Sequence, residues 1–299
     1  MHDLDSVRAE NRRRLLVVLA ITASFTAVEI VGGVFTGSLA VLADAGHMLS
    51  DNVAVAVALV AVWLARRPNT PERSFGYQRA EVLAAFLNGL MLVAIAAWIF
   101  VHALGRLSDP PDVPGGWLLA IALLGLAANL VSAAILERGA HGNLNMSGAL
   151  RHVVADALGS VGVLVAGLVL VTTGWPYADP VAGMLIGVLV LWSSWGLLRE
   201  SGHILLEGTP RGIDARALHE RLEQMPGVID VHDLHVWTIT SGFLALSAHV
   251  LVAPGDDGHS RRRELERLLS EEYGIEHTTL QVDHVRLAST VVSITRSGT

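Results

Sequence analysis

Ala43-Asp44-Ala45-Gly46-His47-Met48-Leu49-Ser50-Asp51-Asn52 and Arg151-His152-Val153-Val154-Ala155-Asp156 share one polar signature, His-x-x-x-Asp, and each stands in an apolar run of bilayer-crossing length. The first run extends from about Leu39 to Ala65 and the second from Ser147 to Val171, against the ~20 mainly apolar residues that a helical span needs. A spacing of i, i+4 sets the histidine and the aspartate on one helix face. At ~1.5 Å per residue, His47 to Asp51 lies roughly 12 to 18 Å into its span, and His152 to Asp156 enters from the opposite side to a similar depth. Two antiparallel helices facing each other bring two imidazoles and two carboxylates together near the midplane. Four nitrogen and oxygen ligands suit tetrahedral Zn²⁺, with bonds of ~2.0 to 2.2 Å.

The rest of the chain agrees with a membrane setting. Of 299 residues, 52% are hydrophobic and 16% charged, where soluble domains carry roughly 25% charged residues; most soluble enzyme classes are excluded. Apolar runs bounded by arginine, glycine or proline place six spans, at about Leu15 to Phe35, Leu39 to Ala65, Ala80 to Leu104, Trp117 to Leu136, Ser147 to Val171 and Pro180 to Leu198. The connections Thr36-Gly37-Ser38, Ser108 to Gly116 and Thr173 to Tyr177 fall on one side with Arg106 alone. The other side collects Arg8, Arg12, Arg13 and Arg14, then Arg66, Arg67 and Arg73, then Arg138 and Arg151. The positive-inside rule therefore puts both termini in the cytoplasm of a multi-pass protein, and a bacterial plasma membrane fits. The first apolar run exceeds the ~7 to 15 residues of a signal peptide's core and is read as a retained helix.

After Leu206-Glu207-Gly208-Thr209-Pro210 the pattern changes. Asp214 caps an amphipathic helix to about Met225, Val228 to Ile239 alternates as a strand, Gly242 turns into a second strand to Val252, Ser260 to Tyr273 is a charged helix, and His277 to Leu287 a third strand. The expected fold is an all-α six-helix transmembrane domain over residues 1–208 and a small cytoplasmic α+β domain over 209–299. From Pro210 onward 13 acidic residues face 9 arginines, with 7 of the chain's 13 histidines. That acidic balance argues against nucleic acid, which calls for a basic stripe. With no cysteine there is no thiolate metal site, disulfide or iron-sulfur cluster.

Other arrangements of the two pairs fit less well. Haem ligation uses the histidines and leaves both aspartates idle, and His-Glu-x-x-His, the mark of a metalloprotease, is absent. Glu29, Asp44, Asn88, Asn129 and Asp179 also stand in spans. Interhelical hydrogen bonding is the default for the asparagines, Asp179-Pro180 reads as a helix start with Asp as cap, and Asp44 shares the face of His47. In the tail, His232 and His235 lie in Val231-His232-Asp233-Leu234-His235-Val236-Trp237, His249 on the next strand, and Gln281, Asp283 and His284 on the last. His232 and His249 neighbour each other across a hairpin, within reach of Asp283 on the third strand. The run Arg261-Arg262-Arg263 reads as the solvated face of a helix.

Over essentially its whole length the chain resembles the cation diffusion facilitator family of zinc transporters. The resemblance rests on Gly37-Ser38-Leu39-Ala40 followed by Ala43 to Asp51, on Phe75-Gly76-Tyr77-Gln78-Arg79-Ala80-Glu81, on His152 to Asp156, and on His232-Asp233-Leu234-His235-Val236-Trp237. It implies a homodimer of six-helix protomers whose cytoplasmic domain is ferredoxin-like, as in metallochaperones, exporting Zn²⁺ in exchange for H⁺. His47, Asp51, His152 and Asp156 match the family's transport site, and a histidine at the first position goes with zinc over cadmium or manganese. His232, His249 and Asp283 match positions that bind zinc in the cytoplasmic domain of some members and steady the dimer. Arg79 and Glu207 fall where some members interlock membrane domain and linker. Three departures stand out: the segment from Arg66 to Arg79 has no histidine, that from Glu137 to Arg151 has only His141, and Gln281 replaces a histidine that serves some members.

A mechanism follows from the ligands. Metal binds deprotonated imidazole and carboxylate and so displaces protons, and reprotonation from a more acidic outer medium releases it. Two rivals predict otherwise: a membrane-bound sensor binds zinc without moving it, and a haem-carrying electron carrier shows a Soret band.

Overall fold

The structure, a computed structural model, describes residues 2–65, 67–68, 70–140 and 144–284. Two compact units emerge: residues 1–66 with 84–199, and 67–83 with 200–299.

The first unit is built on α1 (His2–Thr36), α2 (Leu39–Ala65), α3 (Ala80–Ser108), α4 (Gly115–Ala140), α5 (Leu144–Thr173) and α6 (Ala178–Leu205), the ends of α3 and α6 belonging to the second unit. Among the described residues five of these helices are apolar over lengths that cross a membrane. The sixth, α2, has 27 residues, about 40 Å at ~1.5 Å per residue. The helices run past the expected spans, α1 by thirteen residues at its start and α6 by seven at its end, since the polar flanks continue helically beyond the apolar stretch.

The interior mixes alanines with branched aliphatic side chains, and large apolar side chains also cover the outside. Ala40, Val41 and Ala43 of α2 pack with Ala96 and Ile99 of α3, Leu118 of α4, Ala166 of α5 and Ile186 of α6. At Gly183 a Cβ would come within 3.2 Å of the Leu39 carbonyl carbon, so glycine lets α6 lie close against the start of α2 where a side chain would push the two apart. Outward stand Val31, Phe35, Leu87, Val101, Leu130, Leu168, Leu189, Trp192 and Trp195, all exposed. An exterior this apolar, on helices long enough to cross a bilayer, is stable in lipid and not in water, and the protein is a multi-pass membrane protein.

The turn joining α1 to α2 corrects one expectation. Gly37 takes a positive φ of 68°, which glycine adopts without steric penalty. Asp179 does not cap its own helix: it is fully buried, and its carboxylate accepts from Leu39 N at 2.8 Å, Ala40 N at 3.2 Å and the Ser38 hydroxyl. It thus satisfies the free N–H groups at the start of α2. Arg106 reaches Asp179 at 3.5 Å and also donates to the Gly37 carbonyl. The asparagines behave as expected of interhelical groups: Ser50 Oγ donates to Asn88 Oδ1 at 2.8 Å, and Asn129 Nδ2 to Ser160 Oγ at 3.3 Å.

The second unit contains α7 (Ala215–Glu223), β1 (Val228–Thr240), β2 (Phe243–Val252), α8 (Gly258–Tyr273) and β3 (His277–His284). The sheet order is β1-β2-β3, with β1 antiparallel and β3 parallel to β2. Residues 285–287, expected to finish the third strand, lie outside the described residues, as does His141. Asp214 caps α7, accepting from Arg216 N at 2.9 Å and Ala217 N at 3.2 Å. Gly274 closes α8 in the left-handed region. Leu218, Leu222, Leu265 and Leu269 of the helices bury against Val231, Val236, Leu246, Ala248 and Val250 of the sheet. The run Arg261-Arg262-Arg263 departs from a uniformly solvated face: Arg261 is 14% exposed and pairs with Asp256 at 3.0 Å, while Arg262 stays at the surface beside Glu266.

Candidate metal centre

The two His-x-x-x-Asp pairs occupy equivalent places. In both α2 and α5 the histidine is the ninth residue and the aspartate the thirteenth. As even and odd members of an alternating set, the two helices count from opposite ends, so equal counts meet at mid-height.

They do meet. His47 Nε2 lies 3.6 Å from Asp51 Oδ2 and 3.8 Å from Asp156 Oδ1, and His152 Nε2 lies 3.5 Å from Asp51 Oδ2 and 3.6 Å from Asp156 Oδ2. Nitrogen and oxygen alternate around a closed ring. A tetrahedron with metal–ligand bonds of ~2.0 to 2.2 Å has six edges of about 3.3 to 3.6 Å, and the four nitrogen-to-oxygen separations, which engage both oxygens of Asp156, are near that length. Ligand atoms of His47, Asp51 and Asp156 fall within 4.8 Å of one another, the one such group of three among the described residues. His152 completes the ring from the most open side, at 50% exposure against 6% for Asp156.

The donors also fit a cation by what they lack. Asp51 Oδ2 and Asp156 Oδ1 are buried without a hydrogen-bond partner. Buried polar atoms are nearly always paired, and carboxylate oxygens facing one another repel until a positive charge stands between them. With two imidazoles and two carboxylates, the donor set matches Zn²⁺ or another borderline divalent ion rather than Mg²⁺ or Ca²⁺, which take oxygen.

The tail histidines are arranged differently. His232 and His249 are register partners on β1 and β2, their rings 5.3 Å apart. Asp283 pairs in register with Leu251 and accepts from Gln281 Nε2 at 2.8 Å. Asp230, which sequence reading passed over, is the carboxylate that meets His232, at 3.0 Å from Nδ1. Residues two apart on a strand share a face, and that was the available signal. A second surprise is local: Asp233 has a φ of 54° and the pairing register shifts between His232 and His235. This bulge adds one residue, so Val231 and Val236, five apart, both face the core while both histidines stay exposed. The His235 imidazole, 2.9 Å from Asp233, holds that carboxyl below the usual range, helped by the charges of His249 and His232.

Arg79 and Glu207 meet at 2.8 Å. The same segment also touches the sheet, through Glu81, which accepts from Thr240 Oγ1 at 2.9 Å, and Phe75, whose ring lies 5.8 Å from that of His277.

A helical membrane domain that carries His47, Asp51, His152 and Asp156 face to face, with a small α+β domain after it, is the architecture of a membrane carrier for metal cations. Residues 15–206 match the family described as cation efflux transmembrane domain, and residues 210–285 that of the cation efflux protein, cytoplasmic domain. The chain is 43% identical to the zinc transporter ZitB of Escherichia coli K12, over 92% of this chain and 88% of that protein. It is 39% identical to the cadmium, cobalt and zinc/H⁺-K⁺ antiporter of Bacillus velezensis, over 94% and 91%, and 40% identical to the metal cation efflux system protein CzcD of Cupriavidus metallidurans, over 91% and 87%. The chain belongs to the cation efflux, or cation diffusion facilitator, family, a family of transporters and not of enzymes.

Proposed function

We propose that the protein exports Zn²⁺ across the plasma membrane in exchange for H⁺ by alternating access, with His47, Asp51, His152 and Asp156 as the transport site. The observation that carries this reading is the closed ring of 3.5 to 3.8 Å nitrogen-to-oxygen separations at mid-span, with its unpartnered buried oxygens. The names of the relatives support zinc as cargo and the proton as counter-ion. Cytoplasmic termini are supported by the arginine distribution and by the description of the family matched over residues 210–285. The transport domain then covers residues 1–208 and a cytoplasmic domain 209–299. Two protomers associate as a homodimer, with His232, His249 and Asp283 taking a second zinc that steadies the pair, and Arg79–Glu207 locks the linker.

The chemistry is ligand competition. Metal arriving from the cytoplasm binds carboxylate and imidazole in deprotonated form. Protons from the outer side then take its place. Each elementary charge moved against the membrane potential needs ~2.3 kcal/mol per 100 mV, so a doubly charged cargo requires counter-charge.

Reconstitution in vesicles with a zinc-sensitive dye inside and an imposed pH gradient tests this. Wild type carries zinc, and Asp51→Ala and Asp156→Ala do not. A folded wild type that binds zinc through its tail histidines without flux would make the protein a sensor.

A further inference from the structure

Beside the metal ring lies a second group of buried carboxyl oxygens. Glu29 of α1 is 2% exposed and Asp44 of α2 is 3% exposed. Their carboxyl groups face each other within hydrogen-bonding reach, and Asp44 also faces the Ser160 hydroxyl. Glu29 Oε2 and Asp44 Oδ2 nonetheless meet no donor. The charged groups acting on the pair are Asp156 and His47. The helix α4, packed against both α1 and α5, brings a neutral group there, the buried Asn129, which donates to Ser160 Oγ at 3.3 Å and whose own Oδ1 is likewise unpartnered. The space is kept by glycines: a Cβ on Gly159 would stand 3.0 Å from Asp44 Oδ1, and one on Gly125 would stand 2.5 Å from the Phe25 ring and 3.2 Å from Ser160 Oγ.

Two ionised carboxylates cannot hydrogen-bond to each other, because neither has a donor. Buried face to face they repel, and one proton removes both the repulsion and the missing donor. A potassium ion would need several oxygens drawn around it, whereas two carboxyls in contact need only a hydrogen.

The position is the second observation. Asp44 precedes His47 by three residues on α2, and Ser160 follows Asp156 by four on α5. On antiparallel helices these displacements point the same way, by about 4.5 to 6 Å at ~1.5 Å per residue, toward the end where α1 turns into α2. Given cytoplasmic termini, that is the outer side of the metal ring.

We propose that Glu29 and Asp44 share one proton, and that this proton is a counter-ion exchanged for the metal. This deepens the transport reading above and rests on it. When a doubly charged ion binds the ring one helical turn away, the pair gives up its proton and becomes a dianion facing the cation. When the metal leaves outward, a proton from the outer medium returns to the pair. The balance is one proton lost per metal bound and one regained per metal released, beside any carried by the ring itself.

The test counts protons. Zinc is added to the purified full-length protein in weakly buffered detergent solution, protons released per zinc bound are read with a pH indicator, and zinc binding is followed by calorimetry. Glu29→Gln and Asp44→Asn, tested separately so that one misfolded variant does not end the experiment, are expected to keep zinc binding and to release about one proton fewer per zinc. In vesicles both should also weaken the dependence of zinc flux on the pH gradient. Proton release equal to wild type in both variants overturns the proposal. So does loss of zinc binding with helical content retained, which would make the pair part of the metal site. Unchanged proton release with loss of a potassium-gradient dependence would assign the pair to potassium instead. A wild type that does not move zinc sinks the transport reading itself, and is seen before any variant is made.

Discussion

Two regions of this protein gather histidines and aspartates, and they differ in what surrounds the donors. In the membrane unit His47, Asp51, His152 and Asp156 close a ring whose buried oxygens have no partner. On the sheet His232 leans on Asp230, His235 on Asp233, and Asp283 on Gln281, all in water. A buried donor without a partner raises the free energy of the protein until a cation arrives, by ~1 to 3 kcal/mol for each neutral group and more for a charged one. A solvated pair is already satisfied. The composition of the two clusters is alike, and burial separates donors left without partners from donors already satisfied.

The sharpest way to break that contrast is to make the same substitution in both places. Asp156→Asn should reduce zinc flux at least about a hundredfold, since even groups that only orient metal ligands are worth ~10 to 100-fold in affinity. Asp283→Asn should change flux by less than the ~10-fold at the bottom of that scale. Equal losses in the vesicle assay would show that the tail participates in transport and that burial is the wrong criterion.

Asp179 extends the contrast to groups that hold structure and no ion. Its carboxylate is as buried as any in the ring, but Leu39 N, Ala40 N, the Ser38 hydroxyl and Arg106 already satisfy it. Asp179→Ala strands the first N–H groups of α2 and should lower stability by about 1 to 3 kcal/mol, read as a fall in unfolding temperature in detergent. Zinc affinity of the fraction still folded should not change. A loss of affinity at unchanged stability would mean that Asp179 belongs to the pathway.

How much of this was legible in the sequence follows from the range of the interactions. The i, i+4 pairs on α2 and α5 are local, and apolar runs bound their helices, so the ring could be read from spacing and depth alone. The helix, strand, strand, helix, strand order of the tail was readable for the same reason. Asp179 was misplaced because Asp-Pro at a helix start is locally a cap, and its true partner is 140 residues away in sequence. Arg261 was misread because its partner Asp256 sits in the preceding loop, where a charge run on a helix shows only its average face. The bulge at Asp233 did leave a trace: apolar Val231 and Val236 are an odd number apart, which an unbroken strand cannot bury together.

A smaller effect is expected from removing the tail histidines. If the tail takes the second zinc proposed above, His232→Ala with His249→Ala should abolish any tightening of the dimer by zinc, a change of a few-fold in the dissociation constant, equivalent to less than ~1.4 kcal/mol, measured by concentration-dependent sedimentation with and without zinc. Dimerisation that responds to zinc as before would place the responsive ion elsewhere.

The smallest effect concerns Asp233, held at the bulge by His235. Its carboxyl sits below the ordinary range when folded, with the His235 hydrogen bond as the leading cause. A depressed carboxyl stabilises the fold above its unfolded value, near pH 3.9, and the contribution disappears as pH falls from there through the folded value. Asp233→Asn should therefore match wild type in acid unfolding below that window and differ from it, slightly, only above. The group is exposed, so solvent screens the interaction and the difference should lie near the limit of detection. A clear difference between the variants at neutral pH would show that the bulge is supported by more than a solvated pair, and would bring the two regions closer in kind than their burial implies.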